Sequence, residues 1–595
     1  MVDMTDSKSV AGDCVRVQVS SPVSQIPCQM AGDFFCRCWD PPCFAACFFI
    51  VDIPLAFALE YIVMSKYILV TSGVCSSLGK GVASSTIGSL LECHGLKIAM
   101  IKCDPYVNVD AGNISPYQHG EVYVTEDGAE TDLDLGNFSR FTSVNLTSDN
   151  CITIGKVYEQ VIKNERAGRY NGRTVQVIPH ITDEIKRRIL SVGAQSGADV
   201  VIVEIGGTVG DIESIPYLET ARQLVHELGK GNSIAIHLAL VPVITGGELK
   251  SKPVQHSVKQ LQEAGIQPDV LLCRCEVPID KSLKKKLALF CNVSESAVFT
   301  SADVEKSIYE LPVLFHKQGL DAEILKKLKL TDLKCNIKPW TQFLAKLNSP
   351  EKKVTIGLIG KRDYLDDCIK SVKESLFHAA VTSCNAELEI KKIDAEGLER
   401  SRDAKTALSG VDGIVIPGNM GNRGFLGLLA AVRYARENKI PYLGIDLGMQ
   451  LMAIEAGRNL AKWEDADSTE FIQNTTHPIV SLPEEQAGLS ASGLMKLGAS
   501  EVKIVKGSKL NSIYKKTSVL ERHRNKHSVD RRYKETLEGF GLAVTATSAA
   551  DGQIEAFEWA DHPWGIGVQF HPEFVSRPVK PHPLFTAFIQ AALEK

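Results

Sequence analysis

The sequence predicts an α/β protein built on two mostly parallel sheets in succession. Three observations predict it. Short apolar runs alternate with helical stretches from Lys66 onward, as strands buried on both faces do. A Gly/Ser-rich loop, residues 73–81, joins the first run to the first helix. A second series of apolar runs opens at Val354, beyond a stretch marked by Pro339 and Pro350.

In chain order, Tyr67-Ile-Leu-Val-Thr71 predicts a strand that feeds the loop, and a helix follows near 80–94. Runs at 97–101, 199–204, 234–241 and 269–273 predict the other strands of the first sheet. The second series runs through 354–359, 412–416, 441–445 and 565–570. The chain therefore divides into an extension (1–63), a first domain (64–331), a linker (332–352) and a second domain (353–595).

At 44% hydrophobic and 23% charged residues, the 595-residue chain has ordinary globular values, which exclude a fibre or a disordered protein. A net charge of −5 leaves no electrostatic footprint for nucleic acid. The basic run Lys284-Lys285-Lys286 reads as a solvated helix face. Six of the 16 cysteines lie in the first 47 residues; the rest are scattered from Cys75 to Cys384, as reduced, buried cysteines are. The apolar stretch 43–63 is interrupted by Asp52, Pro54 and Glu60, so no membrane span is expected. Cys36 and Cys38 lack a second cysteine pair and any nearby histidine, which argues against a metal site. The extension is expected to be poorly ordered and dispensable, with Met64 as the functional start.

Gly73-Val-Cys-Ser-Ser-Leu-Gly79-Lys80-Gly81 lies where backbone amides and a helix dipole hold phosphate. It departs from the standard P-loop: five residues separate Gly73 from Gly79, and Gly81 stands in place of a Ser or Thr. Alone, the loop fits a structural turn equally well. Its context adds Lys102-Cys-Asp-Pro-Tyr106 at the end of the next strand, where α/β sheets place ligand groups. The segment from Glu126 to Asp134 brings five carboxylates, and Glu204-Ile-Gly-Gly-Thr-Val-Gly-Asp-Ile-Glu213 follows a buried strand. Carboxylates at a strand end beside a phosphate loop suit Mg²⁺.

These segments, with Ser76-Ser-Leu-Gly-Lys-Gly81, Ser115-Pro-Tyr-Gln-His-Gly-Glu121, Gln176-Val-Ile-Pro-His-Ile-Thr182 and Gly206-Gly-Thr-Val-Gly-Asp-Ile-Glu-Ser214, resemble the CTP synthase family over residues 64–595. The resemblance implies a P-loop-like parallel-sheet synthase (amidoligase) domain followed by a flavodoxin-like class I amidotransferase domain. It implies ATP-dependent amination of UTP to CTP. ATP would be held by Ser77, Leu78, Gly79, Lys80, Gly81, Val82 and Asp134, with Lys80 and Lys102 on its phosphates, and Mg²⁺ by Asp134 and Glu204. UTP, or CTP as feedback inhibitor, would take Ser76, Asp211, Ile212, Glu213, Lys250, Ser251, Lys252, Pro253, Val254, Gln255 and Lys286. Lys286 enters through the resemblance alone. Ser72 stands where the family has Gly and would strain the loop if that position needs a positive φ; Ser251 and Val254 replace two Thr.

The second half resembles class I glutamine amidotransferases, whose cysteine, histidine and glutamate release ammonia from glutamine. Gln569-Phe-His571-Pro-Glu573 carries the histidine and glutamate. Pro441-Tyr-Leu-Gly-Ile-Asp446-Leu-Gly-Met-Gln450 carries the strand-to-helix elbow, with Asp446 in place of the nucleophilic cysteine, and no cysteine follows Cys384. Attack by a carboxylate on a neutral carboxamide would give a reactive anhydride from a weak nucleophile, so glutaminase turnover should collapse. The glutamine site is implied to be degenerate: Leu447, Gly448, Met449, Gln450 and Glu470 match, while Asn419 and Met420 alter the oxyanion loop and Lys526 replaces an arginine that would grip the carboxylate.

The resemblance also implies a cytoplasmic homotetramer, filament assembly, and GTP as an allosteric effector. Free ammonia is the expected nitrogen donor, with glutamine doubtful. A non-catalytic or regulatory CTP synthase paralogue that co-assembles with an active enzyme fits the same residues.

Overall fold

The computed structural model describes residues 65–244, 246–361, 366–418, 422–482 and 495–595, so the expectations for residues 1–63, Met64, Asn419 and Met420 lie outside it. The described residues belong to one compact unit, Ile62–Lys595. No helix among them is long and apolar enough to cross a membrane.

The first sheet has seven strands: β1 (Lys66–Gly73), β2 (Ile98–Asp104), β3 (Cys151–Thr153), β4 (Val200–Ile205), β5 (Ser233–Leu240), β6 (Val270–Cys275) and β7 (Val298–Ala302). Their order is β7-β6-β5-β1-β4-β2-β3, and every pairing is parallel. Side chains of β1 alternate between two cores. Ile68 and Val70 pack with Ile87, Leu90 and Ile202 on one face; Tyr67 and Leu69 pack with Ile189, Val203 and Leu224 on the other. With both faces covered, each buried aliphatic side chain contributes about 1.5–3 kcal/mol. The near-continuous apolar runs of the sequence follow from this double burial.

The second sheet comprises β8 (Lys352–Gly360), β9 (Ala386–Asp394), β10 (Gly413–Ile416), β11 (Tyr442–Ile445), β12 (Lys496–Ile504), β13 (Ser518–Asn525), β14 (Leu542–Ser548), β15 (Ile554–Trp559) and β16 (Gly565–Val568). Its order is β9-β8-β10-β11-β16-β15-β14-β12-β13. The five strands from β9 to β16 are parallel, and the remaining four extend the sheet antiparallel. That extension is absent from the sequence reading, because β12 and β13 carry polar residues on a half-solvated face and lack a long apolar run.

The 332–352 segment contains a helix, Lys338–Asn348, with Pro339 in its first turn, where a proline forgoes no hydrogen bond. Trp340 and Phe343 of this helix are buried against Phe141, Tyr309 and Val313 of the first domain and Val381 of the second. A second junction is polar. Arg522 donates from Nη1 to Tyr123 Oη at 2.5 Å and to the Val124 carbonyl at 3.0 Å, and Arg524 pairs with Glu130 at 3.0 Å. Ser371 donates from Oγ to Glu121 Oε2 at 2.5 Å.

Candidate active site

The carboxyl ends of β1, β2 and β4 build the first site. Beyond β1, Val74 and Ser77 take φ of 80° and 58°, the left-handed region that costs a β-branched residue most. Gly79 then caps helix α1 (Lys80–Cys93) at φ 84°, so Lys80 opens the helix. Lys80 Nζ donates to Ser72 Oγ at 3.1 Å and to the Gly207 carbonyl at 2.8 Å. Ser72 lies inside β1 and outside the positive-φ positions, which corrects the expectation of a strained loop: the departure from Gly gives Lys80 an acceptor. A Cβ on Gly81 would stand 2.0 Å from Asp134 Oδ1. The space that a Ser or Thr side chain takes in a standard P-loop is therefore filled by a carboxylate. Leu78 turns its side chain into the core beneath the loop.

Lys102, at the end of β2, is buried among four acids. Its Nζ lies 2.5 Å from Asp134 Oδ2, 3.0 Å from Glu204 Oε1, 3.5 Å from Asp132 Oδ2 and 3.7 Å from Asp104 Oδ1. Burial disfavours its charge, but the four carboxylates override that and hold Lys102 well above the usual lysine range. Burial lowers Lys80 to about 8 against the pull of Glu204. Burial pushes Glu204 up to about 7 in spite of Lys102, and it raises Asp104 well above its ordinary value, with Asp132 adding to the effect. Asp134 is held low: burial works against its charge, and Lys102 outweighs burial. Four acids thus face two lysines, and buried Glu204 Oε2 has no hydrogen-bond partner among the described residues. Excess acidic charge and an unused carboxylate oxygen fit a hard divalent cation held by Asp134 and Glu204.

Sequence reasoning missed Asp104 and Asp132 as members of this cluster. Asp104 was readable: two residues beyond Lys102 on a strand, it shares the same face. Asp132 was less so, since its visible role is to cap helix α2 (Leu133–Phe141) by accepting from Asp134 N at 3.0 Å.

The residues assigned to the pyrimidine nucleotide fall into two kinds. Ser76, Asp211, Ile212, Glu213, Lys252 and Lys286 are exposed, and Val209 N bonds the Ser72 carbonyl at 2.8 Å, tying the Asp211 loop to the end of β1. Lys250 pairs with Glu248 at 2.7 Å and, with Lys286 nearby, holds that carboxyl below its ordinary range. Lys286 is thus brought to the same place as Lys250, which no local pattern announced. Ser251 and Gln255 are buried and bonded to each other at 2.9 Å, beside half-buried Pro253. The Val254 side chain is wholly buried with Val258, Leu271 and Cys273, which leaves its backbone as the part that could meet a ligand.

The second site is the elbow after β11. Asp446 takes φ 50° and ψ −105° before helix α3 (Leu447–Glu455). Two glycines permit this tight turn: a Cβ on Gly444 would lie 2.5 Å from the Gly448 backbone, and one on Gly448 would lie 2.2 Å from the Ile416 carbonyl. Asp446 Oδ1 accepts from Gln569 Nε2 at 2.6 Å and from Gln450 Nε2 at 3.3 Å. His571 Nδ1 lies 2.7 Å from Glu573 Oε1, while His571 Nε2 has no hydrogen-bond partner among the described residues. Burial works against charge on His571, but Glu573 and then Asp446 outweigh it and hold its pKa above the ordinary value. Gly418 lies between them; a Cβ there would stand 2.7 Å from Asp446 Oδ2 and 3.1 Å from His571 Cε1. Leu447 and Met449 are buried in the core. Glu470 is raised by burial and by Asp446, with half-buried Lys526 opposing, so the structure does bring Glu470, Lys526 and Asp446 together. A cavity of about 50 Å³, lined by Glu121 and Val122 of the first domain and by Val372, Gly418, His571 and Phe574 of the second, adjoins the His571–Glu573 pair.

Residues 66–330 match the family model described as CTP synthase N-terminus, and residues 364–591 match glutamine amidotransferase class-I. The chain is 49% identical over 532 residues to the CTP synthase of Caldanaerobacter subterraneus subsp. tengcongensis, covering 89% of this chain and 98% of that relative. It is 49% identical over 533 residues to the CTP synthase of Carboxydothermus hydrogenoformans, covering 89% and 99%. Among solved structures it matches the glutaminase domain of Trypanosoma brucei CTPS with bound acivicin, at 38% identity and a TM-score of 0.38, covering 41% of this chain and 94% of that one.

Proposed function

The chain belongs to the CTP synthase family, a synthase domain followed by a class I glutamine amidotransferase domain, and on that premise we propose that it aminates UTP to CTP with ATP and free ammonia, its own glutaminase step being lost. The observation that carries the synthase reading is the pair Lys80 and Lys102 set among Asp104, Asp132, Asp134 and Glu204 at adjoining strand ends. ATP would phosphorylate the uracil 4-oxygen, ammonia would add at carbon 4, and the oxygen would leave as inorganic phosphate. Such transfer needs positioned groups and charge neutralisation rather than covalent help from the protein. Lys80, whose charge burial disfavours, gains most from arriving phosphates. Asp134 and Glu204 would hold Mg²⁺, which would neutralise charge on the transferring phosphoryl group. Half-buried Lys250 and exposed Lys286 are cations suited to the triphosphate of the pyrimidine nucleotide.

The loss of glutaminase rests on Asp446. Its carboxylate is pinned by two carboxamides, and with Glu573 it favours a protonated His571, which then has no basic nitrogen to activate a nucleophile. The same reading makes the chain a cytoplasmic homotetramer able to stack into filaments, with GTP as effector; light scattering and GTP titration measure these. The test is the full chain with UTP, Mg-ATP and ammonium. CTP and inorganic phosphate should form one for one, faster as pH rises through the mildly alkaline range because only unprotonated ammonia attacks. Nucleotide binding without any CTP would replace this reading with that of a regulatory paralogue.

A further inference from the structure

A second cluster of metal-ligating side chains lies away from both sites, where α1 ends against the segment that leads to the second domain. His94 follows the last residue of α1. Asp321 is buried near the start of the helix Leu320–Lys327, and Cys335 precedes the Lys338–Asn348 helix. One ring nitrogen of His94, one carboxylate oxygen of Asp321 and the Cys335 Sγ all lie within 4.8 Å of one another. We propose that these three side chains bind a zinc ion that staples the connector to the back of the synthase sheet.

Two further contacts support ligation. The His94 Nδ1 position is taken by the Leu333 carbonyl at 3.3 Å, which places the ring proton there and leaves the Nε2 lone pair for an ion. Asp321 Oδ2 accepts from His316 Nδ1 at 2.7 Å, an outer partner of the kind that orients a ligating carboxylate. In the metal-free arrangement the same oxygen is also 2.8 Å from His94 Nε2, so a proton must sit where the ion would. The donor set is neutral imidazole, carboxylate and thiolate, and zinc accepts all three. One dication with two anionic ligands carries no net charge, as a largely buried position demands. Bonds of about 2.0–2.3 Å around a tetrahedral ion set donors about 3.3–3.8 Å apart. Closure thus needs side-chain shifts of about an ångström and leaves the fourth position for water.

The ligands come from three segments, two of which the Asn336 N to Cys93 carbonyl bond, at 2.7 Å, already draws together. An ion there would fix the start of the connector helix, whose Trp340 and Phe343 pack against both domains. The separation of His94 from Asp321 and Cys335 along the chain hides the site from any sequence pattern.

The test is cobalt and zinc titration of the chelator-treated full chain. Cobalt should give a thiolate charge-transfer band saturating at a single equivalent, and zinc should displace it and raise the melting temperature. The carboxylates around Lys102 supply only oxygen and give no such band. Cys335→Ser should abolish the band and the zinc-dependent rise in melting temperature. His316→Ala should weaken cobalt binding roughly 10- to 100-fold while keeping the band. Cys384→Ser, remote from the cluster, should change neither, and ammonium-driven CTP formation by chelated protein resupplied with magnesium should persist in all three. No cobalt band in the unmodified chain would overturn the proposal, and so would a band that survives Cys335→Ser.

Discussion

The two strand-end sites keep different halves of what a site needs. At the carboxyl ends of β1, β2 and β4 the charged groups are complete: Lys80 caged by Ser72 and Gly207, Lys102 among four acids, and one Glu204 oxygen unused. At the elbow after β11 the backbone is complete instead. The left-handed residue, the close-packed Gly444 and Gly448, Gly418 beside the pair, and the His571–Glu573 bond are all present, but the side chain carried at the turn is a carboxylate. The contrast teaches that site geometry is carried by glycines and core packing, which fold regardless of chemistry. Catalysis hangs on a few atoms that folding does not require.

Four substitutions break or sharpen that contrast. The largest effect belongs to Lys80→Ala. Loss of one preorganised donor to a transferring group costs about 100- to 1,000-fold or more in CTP formation, with unfolding unchanged; near-parental turnover would remove the phosphate-loop assignment. Next is Arg522→Ala at the junction between the two sites, where a buried guanidinium bonds Tyr123 and the Val124 carbonyl. It should cost about 2 kcal/mol or more in chemical denaturation, and a change within error would show the domains to be held by their apolar contacts alone.

Glu121 gives a smaller, pH-dependent effect. Burial, opposed by Arg140, raises it to about 7, so between its ordinary carboxylate value and about 7 the folded chain holds a proton that the unfolded chain has lost. Its stabilising contribution is full below the unfolded value and disappears as pH rises through about 7. Melting temperature should therefore fall over that window in the unmodified chain and fall less in Glu121→Gln; parallel curves would refute the shift. The smallest effect is expected of Asp446→Cys. Lys526 still stands near Glu470 in place of a bidentate arginine, and linked catalytic groups do not recover one at a time. Glutamate release should stay near background, and full recovery by this single change would mean the remaining site is sound.

The parallel strands were legible because β1, β2 and β4 of the first sheet and β10, β11 and β16 of the second are buried on both faces, which writes them as unbroken apolar runs. The antiparallel half of the second sheet was not, since β13 runs from a largely exposed start into Arg522, His523 and Arg524, polar residues of which Arg522 and Arg524 make contacts across the domain junction. Lys80, Lys102, Asp134 and Glu204 were recognisable from their segments, while Asp132 became a neighbour of Lys102 only through the turn that opens α2. For Val254 the family segment gives a position along the chain, but that its side chain faces the core was not legible from it.

The central claim is that amination survives in the first site while glutamine use is lost in the second. One assay tests it directly: the unmodified chain with UTP and Mg-ATP, supplied in parallel with ammonium or with glutamine, reading both CTP and glutamate. The account predicts CTP with ammonium, and with glutamine neither product above background. Glutamine-driven CTP formation at a rate comparable with ammonium would contradict it.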